Sequence, residues 1–148
     1  MAIIKKVLFN PVTGERTFYE EEEYTVERDL ETVKNEMLGS LMNQYKDSII
    51  AGFMSSSTGD NVFFGYSQQD QLNYSKWANV FALNPAKESV IIGSISHGVV
   101  PMTREQFINF MNDAETHEVA LYMKRKGIEN SIKNAMSVED LKSISIQL

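Results

Sequence analysis

The residues best placed to do chemistry lie in Gly93-Ser94-Ile95-Ser96-His97-Gly98, where two hydroxyls precede an imidazole. A serine hydrolase needs Ser, His and an acid brought together, usually with the serine on a sharp turn. No Gly-x-Ser-x-Gly segment is present. Gly98 instead suits a hairpin turn that needs positive φ, so a turn is the expected role. His117, the second of two histidines, falls on the apolar face of a helical pattern. An imidazole there is usually held by a backbone carbonyl, a tyrosine or an acid; a pH switch is the sharper alternative. A glycosidase needs two carboxylates flanking a sugar. Twenty acidic residues allow such a pair to be drawn anywhere, so they carry no signal. Tyr66, Tyr74 and Trp77 could offer aromatic faces to a sugar or a protein partner. Tyr74, Trp77 and Phe81 also share the spacing of a core-facing helical stripe. Four consecutive acids, Glu20 to Glu23, read as a solvated connector without calcium-loop spacing. Lys124-Arg125-Lys126 lies near a helix C-terminus, where cations complement the helix dipole. No Gly-rich phosphate loop occurs. No catalytic, cofactor-binding or metal-binding residue is therefore expected, and the chain is not read as an enzyme.

Composition narrows the field further. The chain has 148 residues, 43% hydrophobic and 23% charged, which suits one ordinary globular domain. The formal net charge of −6 argues against nucleic-acid binding and against docking on anionic lipid. Cysteine is absent, which excludes disulfides, thiol nucleophiles and thiolate metal sites. The start, Met1 to Lys6, lacks the apolar stretch of a signal peptide, and no apolar run can span a bilayer. A protein that stays in the cytoplasm, or leaves it with a particle assembled there, is expected.

Several elements must position these residues. Ile3 to Phe9 and Arg16 to Tyr19 read as a β-hairpin closed by the loop Asn10 to Gly14. From Asp29 to about Ile50, Leu30, Val33, Met37, Leu41, Tyr45 and Ile49 form one apolar stripe at helical spacing. The stripe has two possible uses: covering the chain's own C-terminal core, or self-association as in a bundle. Gly52 ends that helix. Phe53 and Val62 to Tyr66 flank a polar loop and predict a second hairpin. Ser67 can cap a helix running to about Leu83. Ser89 to Ile95 and Val99-Val100 predict a third hairpin around Ser96-His97-Gly98. Thr103-Arg104-Glu105-Gln106 is a capping box. Its helix is expected to reach about Lys126 and to break or kink at Gly127, with further helix from Ile128 to Ala135. Ser137 starts a short last helix, and Ile144-Ser145-Ile146 reads as a closing strand. The fold class is α+β. The best division lies at 46/47, between an N-terminal attachment or oligomerisation segment (1–46) and a compact α+β unit (47–148).

The order of several short motifs is informative. Gly52-Phe53 is followed by Phe64-Gly65-Tyr66-Ser67 and by Asp70-Gln71-Leu72-Asn73. Val100-Pro101-Met102-Thr103 with Gln106-Phe107 follows, then His117. Over about residues 46–146 the chain resembles an uncharacterised domain family of tailed-phage and prophage proteins, found in or beside tail-fibre and baseplate components. The resemblance implies a virion tail protein, assembled in the host cytoplasm, with other tail proteins as partners and homo-oligomer formation. Support of host attachment is a further implication. A tail-fibre assembly chaperone is the alternative, and a glycan-cleaving enzyme the third reading. The family implies no catalytic residue.

Overall fold

The computed structural model describes residues 2–14, 16–23 and 28–148. The fold is α+β, three antiparallel strand pairs and four helices among the described residues. Strands β1 (Ala2–Phe9) and β2 (Arg16–Glu23) form the first hairpin, in the register Lys5↔Glu20 and Leu8↔Thr17. Glu20 to Glu23 are thus strand residues rather than a connector. They extend β2 because Ala2 to Lys5 lie opposite as pairing partners. Residues 24–27, which follow β2, lie outside the described residues.

Helix α1 (Leu30–Ala51) starts at Asp29, whose Oδ2 accepts the Thr32 N–H at 3.3 Å. It ends at Gly52, which has φ +112°. A Cβ there would lie 2.3 Å from the Phe64 carbonyl oxygen, so the turn into the second hairpin admits only glycine without rearrangement. That hairpin pairs β3 (Phe53–Ser55) with β4 (Val62–Phe64). Helix α2 (Gln68–Leu83) follows a capping box of Ser67 and Asp70. The third hairpin joins β5 (Ser89–Ser94) and β6 (Gly98–Thr103). Its period of two sends Val90, Ile92, Val100 and Met102 inward. Thr103 and Gln106 then cap α3 (Arg104–Asn134), and Ser137 and Asp140 cap α4 (Val138–Lys142).

Two apolar clusters hold these elements. The larger gathers the second and third hairpins, α2 and the first half of α3 around Phe64 and Phe110, both fully buried. The smaller joins Leu41 of α1 to Ile132, Ala135 and Leu141. Helix α3 has 31 residues, a rod of about 46 Å. It reaches both clusters, and α1 packs along it. Leu41 of α1 enters the smaller cluster and Ile49 the larger.

Two expectations need correction. Gly127 does not break α3, which runs continuously from Arg104 to Asn134: Arg125 before the glycine lies over Tyr45 of α1, and Ile128 and Ile132 after it pack into the smaller cluster. Ile144 to Ile146 form no strand. Their apolar side chains dock on the smaller cluster, and no described strand lies alongside to pair with them. The expected division at 46/47 lies within α1, whose Leu41 packs in the smaller cluster and whose Ile49 packs against the larger.

Candidate functional site

The serine-histidine turn is built to join two hairpins. Ser94 Oγ donates to the Gly98 carbonyl at 2.9 Å and accepts the His97 N–H at 2.9 Å. Ser96 Oγ accepts the Phe63 N–H at 2.8 Å and lies 2.6 Å from His97 Nδ1. The Ile95 N–H donates to the Phe63 carbonyl at 2.9 Å. Among the described residues no carboxylate hydrogen bonds to His97, so the pair has no acid to orient it as a triad would. The turn reads as a clasp between β4 and the third hairpin.

His117 lies deeper. Its Nε2 is 3.4 Å from the Ile49 carbonyl oxygen, and its ring stacks on Phe53 with centroids 6.0 Å apart. It therefore joins α3 to the last turn of α1 through a backbone carbonyl, the contact expected of a core-facing histidine.

The aromatic trio divides. Tyr66 and Tyr74 are buried in the larger cluster and offer no face to a sugar or a partner. Their spacing served the core. The Tyr66 hydroxyl donates to Glu118, and the Tyr74 hydroxyl donates to the Gly65 carbonyl at 2.7 Å. Burial raises both phenol pKa values above 10, with the neighbouring acids Glu118 and Asp70 adding to it. Both hydroxyls are thus neutral donors at ordinary pH. Trp77 differs, being half-buried at the edge of the cluster.

The stripe on α1 is also occupied. Leu41 is fully buried, and Leu30, Val33 and Met37 pack against its cluster. Tyr45 lies beneath Arg125, whose guanidinium carbon is 4.7 Å from the ring centroid. Of the stripe residues expected as candidates for self-association, Leu30, Val33, Met37 and Leu41 thus pack in the chain's own smaller cluster, and Tyr45 lies against Arg125 of α3.

The ordered motifs prove to be fold determinants. Gly52 makes the close turn, and Phe53, Phe64, Val100, Met102 and Phe107 are core. Ser67, Asp70, Thr103 and Gln106 are caps. Gln71 donates to the Tyr66 carbonyl at 2.9 Å. A functional surface must then use residues that neither pack in the core nor cap a helix.

Such a surface runs along α2. Leu72 is 65% exposed and Leu83 86%, on a shallow groove that also takes in Lys76, Asn79 and Val80. Lys76 also borders a second cleft, of about 280 Å³, between α2 and β5. Trp77, Asn73 and Ile91 line that cleft, and Ile91 is 60% exposed. Lys76 Nζ stands 5.7 Å from the Trp77 ring centroid. Leu72 and Leu83 thus lie on one groove and Trp77 and Ile91 on a neighbouring cleft, with Lys76 bordering both. The signal was present in the sequence: Leu72 and Leu83 are apolar residues off the Tyr74–Phe81 stripe. Among the described residues no group of three or more His, Cys, Asp or Glu could hold a metal ion, and no helix is long and apolar enough to cross a membrane.

No protein-family model, curated protein or solved structure matches the chain.

Proposed function

We propose that this chain is a structural component of a bacteriophage tail, at the baseplate or beside a tail fibre, which works by binding other tail proteins. The observation that carries the reading is the groove of exposed Leu72 and Leu83 on α2, next to the cleft of Trp77 and exposed Ile91, with Lys76 bordering both; apolar groups of this kind are what protein assembly covers. The order of the motifs over residues 46–146 supplies the tail context. The reading gives the chain no catalytic role, and it assigns assembly in the host cytoplasm and residence in the virion. By completing the tail tip, the protein supports host attachment.

Two measurements test this. Mass spectrometry of purified particles should find the chain at a fixed ratio to a fibre or baseplate protein. Leu72→Asp with Leu83→Asp should abolish its capture by those proteins while leaving the circular dichroism spectrum intact, since both side chains are solvent-facing. Absence from particles, with fibre folding still dependent on the chain, would transfer the same face to an assembly chaperone. Full binding by the double variant would remove this face from the mechanism.

A further inference from the structure

The first hairpin is left without a partner. Strands β1 and β2 form a two-stranded sheet in which each strand has one unpaired edge of eight residues. Among the described residues no other element makes more than glancing contact with it. A lone two-stranded hairpin is marginal in water. Long open edges present unpaired N–H and C=O groups ready to accept another strand.

The two edges differ in charge. Strand β1 carries Lys5 and Lys6 and no acid, so its formal charge is +2. Strand β2 carries Arg16 and the four acids Glu20 to Glu23, one positive against four negative, so its charge is −3. Pairing β1 with a second β1 places +2 beside +2, and with registers in opposition it sets Lys5 against Lys6. Pairing β2 with a second β2 places −3 beside −3. Only β1 against the β2 of a neighbour joins opposite charges. That contact can also repeat the register the hairpin already uses, with Lys5 opposite Glu20.

We infer that the first hairpin is a self-assembly device: the β1 edge of one copy adds antiparallel to the β2 edge of a second copy, head to tail. The contact is heterologous, since different edges meet, so a growing set keeps one free edge at each end until it closes. Backbone hydrogen bonds along the eight-residue edges hold the copies together, and charge selects the edge. The contact is independent of the tail reading and of the α2 face.

The chain has no cysteine, which makes a clean cross-linking test possible. Leu8→Cys and Thr17→Cys are prepared as two separate full-length chains, one carrying an extra tag. Leu8 and Thr17 are register partners within the hairpin. Mixed, refolded together and mildly oxidised, they should give a disulfide-linked pair containing one chain of each kind. Either chain alone should stay uncross-linked. A Leu8→Cys homodimer or a Thr17→Cys homodimer would overturn the head-to-tail contact, as would the absence of any cross-link. Light scattering gives the second reading. The natural chain should run as a multimer, and Lys5→Glu with Lys6→Glu should reduce it to the protomer mass with its helical circular dichroism unchanged. A natural chain at protomer mass, or a double variant still multimeric, would overturn the inference.

Discussion

Arg104 belongs to the first turn of α3, yet its guanidinium closes the C-terminus of α2. It donates to the Phe81 carbonyl at 2.9 Å and to the Asn84 carbonyl at 3.2 Å, and it lies 4.7 Å from the Phe81 ring centroid. Helix ends leave carbonyls without intrahelical partners, and a cation there both hydrogen bonds and complements the dipole. Arg104→Ala should therefore cost ~1–2 kcal/mol, read from the urea unfolding midpoint, although the residue is a surface cation by sequence. Glu129 is the other informative residue. Lys133, at 2.5 Å, and Lys126, at 3.1 Å, hold its carboxylate in the charged form and lower its pKa to about 2. A group with a depressed folded pKa stabilises the fold above its unfolded value, near 4.5. That contribution is lost as pH falls from about 4.5 to about 2. Glu129→Gln should lower stability at pH 7 and flatten the acid limb across that window, as followed by thermal melts against pH. An unchanged acid limb would show that the lysines do not act on this carboxylate.

At the scale of elements, local chemistry predicted most boundaries. Ser67, Thr103 and Ser137 precede acids or amides three residues on, and each is an observed capping box. Alternation in β5 and β6 matched the observed inward faces. Gly127 shows where local chemistry is overruled. Glycine in a helix costs ~1 kcal/mol relative to alanine, which a long helix fixed at both ends by packing can absorb. Nothing lies within 4 Å of a Cβ built on Gly127. Gly127→Ala should then raise stability by ~0.5–1 kcal/mol, and chemical denaturation should show the gain without a change in m-value.

For the whole molecule, the main question was what the α1 stripe covers. The answer is α3 and α4, through Leu41, Ile132, Ala135 and Leu141. Leu41→Asp would place a carboxylate in a closed apolar layer and should cost ~4 kcal/mol or more. The expected result is loss of cooperative unfolding, rather than dissociation of a folded multimer. A folded protomer of lowered mass would return the stripe to self-association. The assembly contacts proposed above instead use features that packing leaves open, the exposed side of α2 and the edges of the first hairpin.

The sequence by itself determined the α+β class, the helix caps, the turn glycines and the hairpin loops. Each of these depends on a residue and neighbours within a few positions. It also marked Tyr66, Tyr74, Trp77 and the α1 stripe as apolar faces, but it left open what each face meets. Only the tertiary structure decided that. Tyr66 and Tyr74 went inside because two hairpins and α3 close over them, while Trp77 stayed at the rim beside exposed Ile91. The α1 stripe became core because a 31-residue α3 continues past Gly127 to reach it. Apolar periodicity states that a surface must be covered; which surface covers it depends on contacts between residues far apart in the chain.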